Sequence, residues 1–98
     1  MTVRHVVVFR FHPGTPADRV EALRSELVAF GAALEPVLTY DVGEDLGVNE
    51  ASWDFAVSAT FADVEGYLAY RDDPEHQRII RELVAPITAE RASVQLAI

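Results

Sequence analysis

Two segments whose residues alternate between two faces constrain the fold of this chain most. The first spans residues 3–11 and places Val3, His5, Val7, Phe9 and Phe11 on one face. The second spans residues 53–61, from Trp53 to Phe61, and its other face carries small side chains. Successive side chains of a β-strand point to opposite faces, so this period of two predicts two strands that each press one face onto a core.

The segment after the first strand predicts an amphipathic helix. Thr15, Pro16 and Asp18 suit the N-cap, first and third positions of a helix. Apolar side chains then recur at spacings of three and four residues, which is the period of a helix with one buried face. The members of this apolar stripe are Val20, Leu23, Leu27, Phe30 and Leu34.

The remaining elements follow from turn and capping residues. Pro36 ends the first helix region, and Gly43 closes a second strand. Asp63 caps a short helix that runs through Tyr70. Asp73 and Pro74 open another helix that runs to about Ala85, before Pro86. In chain order, the second strand covers residues 37–42 and the last strand runs from about Ala92 to Ile98.

The order strand, helix, strand, strand, helix pair, strand predicts an α+β fold. Two right-handed crossovers place all helices on one face of a four-stranded antiparallel sheet, which is the ferredoxin-like βαββαβ arrangement. With 98 residues, we expect a single domain over residues 1–98. The other sheet face is apolar, so we expect a homodimer through this open face. The residues predicted to lie on this open face are Val6, Val8, Leu38, Tyr40, Val42, Ala56, Ser58, Thr60 and Ala97.

Composition excludes several classes of function. The chain has 16 acidic residues against 8 basic ones and a net charge of −8, which argues against nucleic acid and anionic membrane as partners. It contains no Cys, so it has neither disulfides nor a thiolate metal cluster. No apolar run approaches the length of a signal-peptide core or a membrane span. We therefore expect a soluble, cytoplasmic protein.

Three histidines are the groups whose ordinary pKa lies near neutrality, so they are the candidates for acid–base chemistry. His5 points between sheet and helices, either as a hydrogen-bonded core residue or as a site residue. His12 lies in a turn and is expected at the surface. His76 follows the Asp73 cap at a tight corner that begins with Tyr70. One interpretation is that Tyr70 is a packed aromatic residue and His76 a local cap. The other is that the phenol of Tyr70 and the imidazole of His76 share one site.

Metal chemistry has weak support in the sequence. Acidic residues gather around one loop, at Asp41, Glu44, Asp45 and Glu50. A calcium loop starting at Asp41 needs Gly at its sixth position and Glu at its twelfth, where this chain has Leu46 and Ser52. A solvated acidic loop is the stronger interpretation, with a loose divalent-cation site at a dimer as the alternative. We predict no metal site and no cofactor.

Several ordered motifs together resemble one family. They are Val3-Arg4-His5-Val6-Val7-Val8-Phe9-Arg10-Phe11, Val42-Gly43, the segment 61–70 ending in Tyr67-Leu68-Ala69-Tyr70, Pro74-Glu75-His76, and Leu83-Val84-Ala85-Pro86-Ile87. In this order and spacing the chain resembles the stress-responsive A/B barrel domain (Dabb) family, small dimeric α+β barrel proteins. The resemblance covers essentially the whole chain and implies the same fold and dimer.

The resemblance also implies site residues. Cyclase members of the family close linear polyketides by an aldol-type condensation, and they use a His at the position of His76, a Tyr at that of Tyr70 and a pocket His at that of His5. Members of the family usually have His-Pro-x-His at this corner. In this chain Asp73 replaces the first His, and His76 corresponds to the second. A further pocket His on strand three corresponds to Phe55. Related dimeric α+β barrels act as monooxygenases or isomerases without a prosthetic group.

Two functions follow as hypotheses. One is a dimer that binds a small, apolar carbonyl compound between sheet and helices. The other is a cofactor-free cyclase, lyase or isomerase in which His76 is the general base, Tyr70 the hydrogen-bond donor and His5 an orienting group. The predicted pocket walls are Phe9, Leu23, Leu27, Phe30, Trp53 and Phe55.

Overall fold

Four antiparallel strands form one sheet in the order β2-β3-β1-β4. The computed structural model describes residues 1–98. The element order βαββαβ confirms the ferredoxin-like α+β fold, with the helices on one face of the sheet. The strands are β1 (Val3–Phe11), β2 (Val37–Glu44), β3 (Phe55–Phe61) and β4 (Thr88–Ala97); the helices are α1 (Ala17–Ala33), α2 (Val64–Asp72) and α3 (Pro74–Ile79), and a π-helical turn (Ile80–Val84) continues α3.

The core lies between the sheet and the helices, as the alternation of β1 and β3 predicts. The central strands β1 and β3 pair in antiparallel register, with Val7 opposite Val57 and Phe9 opposite Phe55. Their inward side chains and the α1 stripe are buried together, and this apolar contact is the main stabilisation of the fold. The buried set includes Val7, Phe9, Val20, Leu23, Leu27, Phe30, Phe55, Val57, Ala59 and Phe61.

The predicted caps begin the two helices α2 and α3. The Asp63 carboxylate accepts a hydrogen bond from the Gly66 N–H at 2.8 Å. At the next helix the Asp73 carboxylate accepts from the Glu75 N–H, also at 2.8 Å, and Pro74 occupies the first turn. Each cap satisfies an amide that the helix itself cannot pair. The Asp73 cap begins α3 directly after α2 ends at Asp72, so the chain turns between the two helices.

The start of α1 differs from the prediction. The helix begins at Ala17, and Pro16 rather than Thr15 occupies the N-cap position without a side-chain cap. The Thr15 hydroxyl instead donates to the His12 carbonyl oxygen at 2.6 Å, which closes the turn after β1. None of the helices is long and apolar enough to cross a membrane.

Strand β3 begins at Phe55, so the prediction that it starts at Trp53 was wrong. The residue between them, Asp54, is held by the end of β1: its carboxylate accepts from the Phe11 N–H at 2.8 Å. Trp53 therefore leaves the strand, and the Arg10 guanidinium lies 4.7 Å from the centre of its ring. This cation–π contact draws the indole toward the open-face side of β1.

The register of β2 corrects part of the predicted open face. Tyr40 pairs with Ala59 and Val42 with Val57, so both side chains point toward the helices. A register irregularity between Val37 and Thr39 precedes them. Because one extra residue moves the following side chains to the opposite face, the sequence alternation alone misplaces this strand.

Strand β4 starts earlier than the predicted Ala92 and pairs with β1 along its length. Ala97 pairs with Val3, so it lies on the helix side and its predicted place on the open face was wrong. Val94 pairs with Val6 on the outward side. The apolar residues of the open face on β1, β3 and β4 are Val6, Val8, Ala56, Ala92, Val94 and Leu96.

Candidate functional site

A cavity of about 260 Å³ lies between the sheet and the helices, on the side of β1 and β4. Apolar side chains form most of its wall, and the exposed residues Arg71, Arg91 and Ser93 mark its mouth. His5, Tyr70 and His76 all line it, so the structure brings together the three residues singled out from the sequence. The complete lining is His5, Val7, Phe9, Leu27, Val57, Tyr67, Tyr70, Arg71, His76, Ile80, Val84, Arg91 and Ser93.

His5 is held in one tautomer by its neighbour on β4. The side-chain amide nitrogen of Gln95 lies 3.0 Å from Nδ1 of His5. An amide nitrogen only donates, so Nδ1 accepts and the ring proton resides on Nε2. Burial, with smaller contributions from His76 and Arg91, lowers the pKa of His5 to about 4. His5 is therefore a neutral hydrogen-bond donor in the cavity wall at physiological pH.

His76 is held in the opposite tautomer by the α2–α3 corner. Its Nδ1 lies 3.0 Å from the Arg71 carbonyl oxygen, which only accepts, so the proton resides on Nδ1 and Nε2 keeps its lone pair. Burial lowers the pKa of His76, and Arg91 adds to this effect. The Arg71 carbonyl and the Asp72 and Asp73 carboxylates oppose it. His76 is therefore a neutral base with an available ring nitrogen.

Tyr70 packs between the two imidazoles. Its ring centre lies 4.3 Å from that of His76 and 5.9 Å from that of His5. Its hydroxyl lies 2.9 Å from the Tyr40 hydroxyl, so one phenol donates to the other. Burial raises the pKa of Tyr70 well above its ordinary value, and the Tyr40 contact raises it further. Tyr70 therefore stays protonated.

These three side chains give the cavity a base and a donor in a largely apolar setting. One nitrogen of each imidazole is bound to the protein, which leaves the Nε2 lone pair of His76 and the Nε2 proton of His5. A base of this kind can accept a proton from a carbon next to a carbonyl group. A donor can bind the carbonyl oxygen as negative charge develops there.

The structure divides the other predicted wall residues into three groups. Phe9 and Leu27 line the cavity. Leu23, Phe30 and Phe55 are buried core residues outside its lining, and Phe30 stacks on His76 with ring centres 5.6 Å apart. Trp53 does not line the cavity because Arg10 holds it beside the open face.

The remaining candidate residues lie apart from the cavity. His12 is exposed in the turn after β1. The acidic side chains around the β2–β3 loop do not gather with others into a group of three metal-ligating residues. Instead, Asp45 accepts from the Gly47 N–H at 2.9 Å, and Asp54 binds the end of β1.

Comparison with known proteins identifies the family. The sequence model of the stress-responsive A/B barrel domain (Dabb) family matches residues 3–97 of this chain. The chain belongs to this family. No curated protein sequence matches the A/B barrel chain.

Solved structures resemble the A/B barrel chain over its full length. A dimeric ferredoxin-like protein of unknown function from Thermobifida fusca is 35% identical with a TM-score of 0.92, covering 100% of this chain and 92% of the other. A Dabb family protein from Mesorhizobium loti is 20% identical with a TM-score of 0.82, covering 99% and 96%. The hydroxynitrile lyase from Passiflora edulis is 19% identical with a TM-score of 0.85, covering 99% and 93%.

Sequence reasoning missed the polar mouth of the cavity in this A/B barrel domain. Tyr67 packs its ring against His5 with centres 4.9 Å apart, and it lies one helical turn before Tyr70. Arg91, Ser93 and Gln95 occupy alternate positions of β4 on the helix side. Polar residues at inward positions of a strand were the available signal, since the inward positions of β1 and β3 are mostly apolar.

Proposed function

We propose that this A/B barrel domain binds a small, largely apolar carbonyl compound in the cavity between sheet and helices. The observation that carries the proposal is the cavity of about 260 Å³ with the neutral imidazoles of His5 and His76 in an apolar wall. This volume is close to the lower limit of ligand sites, which begin at about 300 Å³. A compact ligand with few polar atoms fits it.

The position of the polar groups favours a carbonyl over a hydrocarbon. His5 presents a ring N–H, because Gln95 occupies its other nitrogen. A buried N–H without a hydrogen-bond partner costs free energy. The Nε2–H of His5 therefore favours a ligand with an acceptor such as a ketone oxygen. The apolar side chains Val7, Leu27 and Val84 then contact the rest of the ligand.

Thermal unfolding with 4-phenyl-2-butanone tests ligand binding. Ligand at 100 times its Kd adds about 2.7 kcal/mol to the free energy of unfolding, which raises the Tm by about 10 to 20 °C for a domain of this size. Ser93→Phe fills the mouth of the cavity and is expected to abolish the shift. Ser25→Phe, the same change on the exposed surface of α1, is expected to keep it. No shift up to millimolar ketone, or equal shifts in both variants, contradicts the proposal.

Cofactor-free proton transfer is the second candidate, favoured by the tautomer of His76. In the proposed step His76 Nε2 takes a proton from the carbon beside the carbonyl. The C–H electron pair forms the C=C bond of an enolate, and the carbonyl π electrons move onto oxygen. His5 Nε2–H then donates to that oxygen. The hydroxynitrile lyase from Passiflora edulis supports the idea that this fold can hold an enzyme site.

Pairing of two copies through the open sheet face completes the proposal. On the outward side of the sheet, Val94 is 50% exposed and pairs with Val6, and Leu96 is 46% exposed and pairs with Arg4. Exposed apolar side chains grouped in this way favour a partner surface. The Thermobifida fusca relative, which is 35% identical, is a dimeric protein. A homodimer related by a twofold axis places this face against its own copy.

A further inference from the structure

Arg91 stands out among the arginines of this chain because it lines the cavity and has no partner. It forms neither a salt bridge nor a side-chain hydrogen bond within the protein. Arg71, the other arginine of the cavity, is paired through two of its nitrogens with Asp72, at 2.8 and 3.2 Å. Arg78 contacts three carboxylates on the outer side of the helices. Arg91 thus leaves a complete guanidinium available at the mouth of the cavity.

The position of Arg91 on β4 explains why it lies there. It pairs with Phe9 of β1, and Ser93 pairs with Val7, so both point to the helix side of the sheet. Arg91 is exposed, so its guanidinium reaches water at the mouth of the cavity although it lies on the inward side of an edge strand. Ser93 likewise makes no side-chain hydrogen bond, and its hydroxyl offers a second donor at the same edge.

The charge of the cavity is opposite to that of the protein. The chain has a net charge of −8, yet no Asp or Glu is among the residues that line the cavity. Its charged lining residues are Arg71 and Arg91. Burial is the main cause of the lowered pKa values of His5 and His76, and Arg91 lowers both further, while Asp72 and Asp73 act on the pKa of His76 in the opposite direction. A ligand with one negative group at its outer end matches this distribution.

We propose that the ligand of this cavity is an oxo-carboxylic acid whose carboxylate binds Arg91 at the mouth while its ketone lies deeper, beside His5 and His76. A guanidinium binds a carboxylate through two parallel N–H···O bonds, a geometry that fixes orientation as well as adding affinity. The carboxylate would thereby direct the carbon next to the ketone toward His76. This inference rests on the proposed binding of a carbonyl compound in the same cavity.

A matched pair of probes tests the inference. The anion 4-oxo-4-phenylbutanoate and the neutral 4-oxo-4-phenylbutanamide have the same size and the same ketone. The wild-type protein is expected to bind the carboxylate about tenfold more tightly, the usual size of a charge-assisted pair. Isothermal titration at 0.15 M salt measures both Kd values.

Variants separate Arg91 from a general charge effect. Arg91→Gln is expected to remove the preference for the carboxylate over the amide, whereas Arg91→Lys keeps part of it. Arg81→Gln removes a charge from the π-helical turn outside the cavity and is expected to keep the full preference. A preference that survives in Arg91→Gln overturns the assignment of Arg91.

The outcomes distinguish the two proposals. Equal affinity of the wild-type protein for acid and amide overturns the carboxylate inference while the cavity remains a carbonyl site. Failure of both probes and of 4-phenyl-2-butanone to bind overturns the carbonyl site and this inference with it. A tenfold preference that Arg91→Gln abolishes supports both.

Discussion

The hydroxyl groups of Tyr40 and Tyr70 lie 2.9 Å apart and join the edge strand β2 to the helix that supplies the aromatic wall of the cavity. Tyr70 is 2% exposed, so its hydroxyl has little access to bulk water and depends on this contact. Burial raises the pKa of Tyr40 to about 12, while the hydrogen bond with Tyr70 acts in the opposite direction. The two phenols therefore remain protonated and stabilise the fold by hydrogen bonding rather than by charge.

Removal of one hydroxyl from this pair is expected to destabilise the protein. Tyr40→Phe leaves the buried Tyr70 hydroxyl without its protein partner, which costs about 1 to 3 kcal/mol. The double change Tyr40→Phe with Tyr70→Phe is expected to cost less than the sum of the single changes. Urea unfolding measures all three. Tyr67→Phe, whose hydroxyl has no side-chain partner, is the control, and strictly additive costs would show that the pair is not coupled.

Gly31 allows Tyr40 to pack against α1. A Cβ atom at position 31 would overlap the Tyr40 ring, whereas one at Gly43 would meet nothing within 4 Å. Gly31→Ala is therefore expected to lower the free energy of unfolding by about 1 to 3 kcal/mol despite the better helix propensity of Ala. Gly43→Ala is the matched control with little change. In a Tyr40→Leu background the cost of Gly31→Ala should shrink, and an unchanged cost would assign the strain elsewhere.

Buried His5 makes stability depend on pH. Its pKa falls from 6.5 to about 4 on folding, so between these values the unfolded chain binds a proton that the folded chain does not. The contribution of His5 to stability is therefore fully present above about pH 6.5 and is lost as the pH falls toward 4, by about 2 kcal/mol between pH 7 and pH 5. His76 acts in the same direction.

Urea unfolding of His5→Gln at pH 7 and pH 5 isolates this contribution. The loss of stability between the two pH values is expected to be smaller in His5→Gln than in the wild type. His12→Gln, at an exposed position, should retain the wild-type dependence. If His5→Gln retains it as well, His5 is not the group responsible.

The sequence predicted the parts of the fold in which periodicity and burial coincide. The alternation of β1 placed His5 on the helix side, and the Asp63 and Asp73 caps located the corner that brings Tyr70 and His76 together. These signals are local, because each depends on residues a few positions apart.

The parts that escaped prediction depend on contacts distant in the chain. The irregularity before Thr39 turns Tyr40 toward the helices, and no local pattern records it. Trp53 follows the alternation of β3 but is drawn away by Arg10, a residue of another strand. Arg91 lies on an edge strand beside a cavity, where an inward polar residue does not disturb the core. Its position is visible only once the pairing with β1 is known.

His76 is expected to be required for proton transfer and dispensable for folding. The wild-type protein should accelerate exchange of the protons beside the ketone of 4-phenyl-2-butanone with deuterium, followed by NMR. His76→Ala removes the general base and should lower the protein-dependent rate by about 100-fold or more, with Tm within a few degrees of the wild type. His12→Ala should exchange at the wild-type rate. Equal rates in His76→Ala and the wild type would exclude His76 as the base.

Val94 is expected to control association through the open sheet face. Val94→Glu places a charge where Val94 pairs with Val6, so the desolvation of that charge should break a dimer formed there. Val28→Glu makes the same change at an apolar residue of α1 that is also exposed, and it should leave association intact. Sedimentation equilibrium at low micromolar concentration should give about twice the chain mass of 10.8 kDa for the wild type and for Val28→Glu, and the mass of one chain for Val94→Glu.

A wild-type monomer would refute the pairing of two copies. A Val94→Glu dimer would place the interface on another surface of the chain, because burial of an unpaired carboxylate is strongly unfavourable.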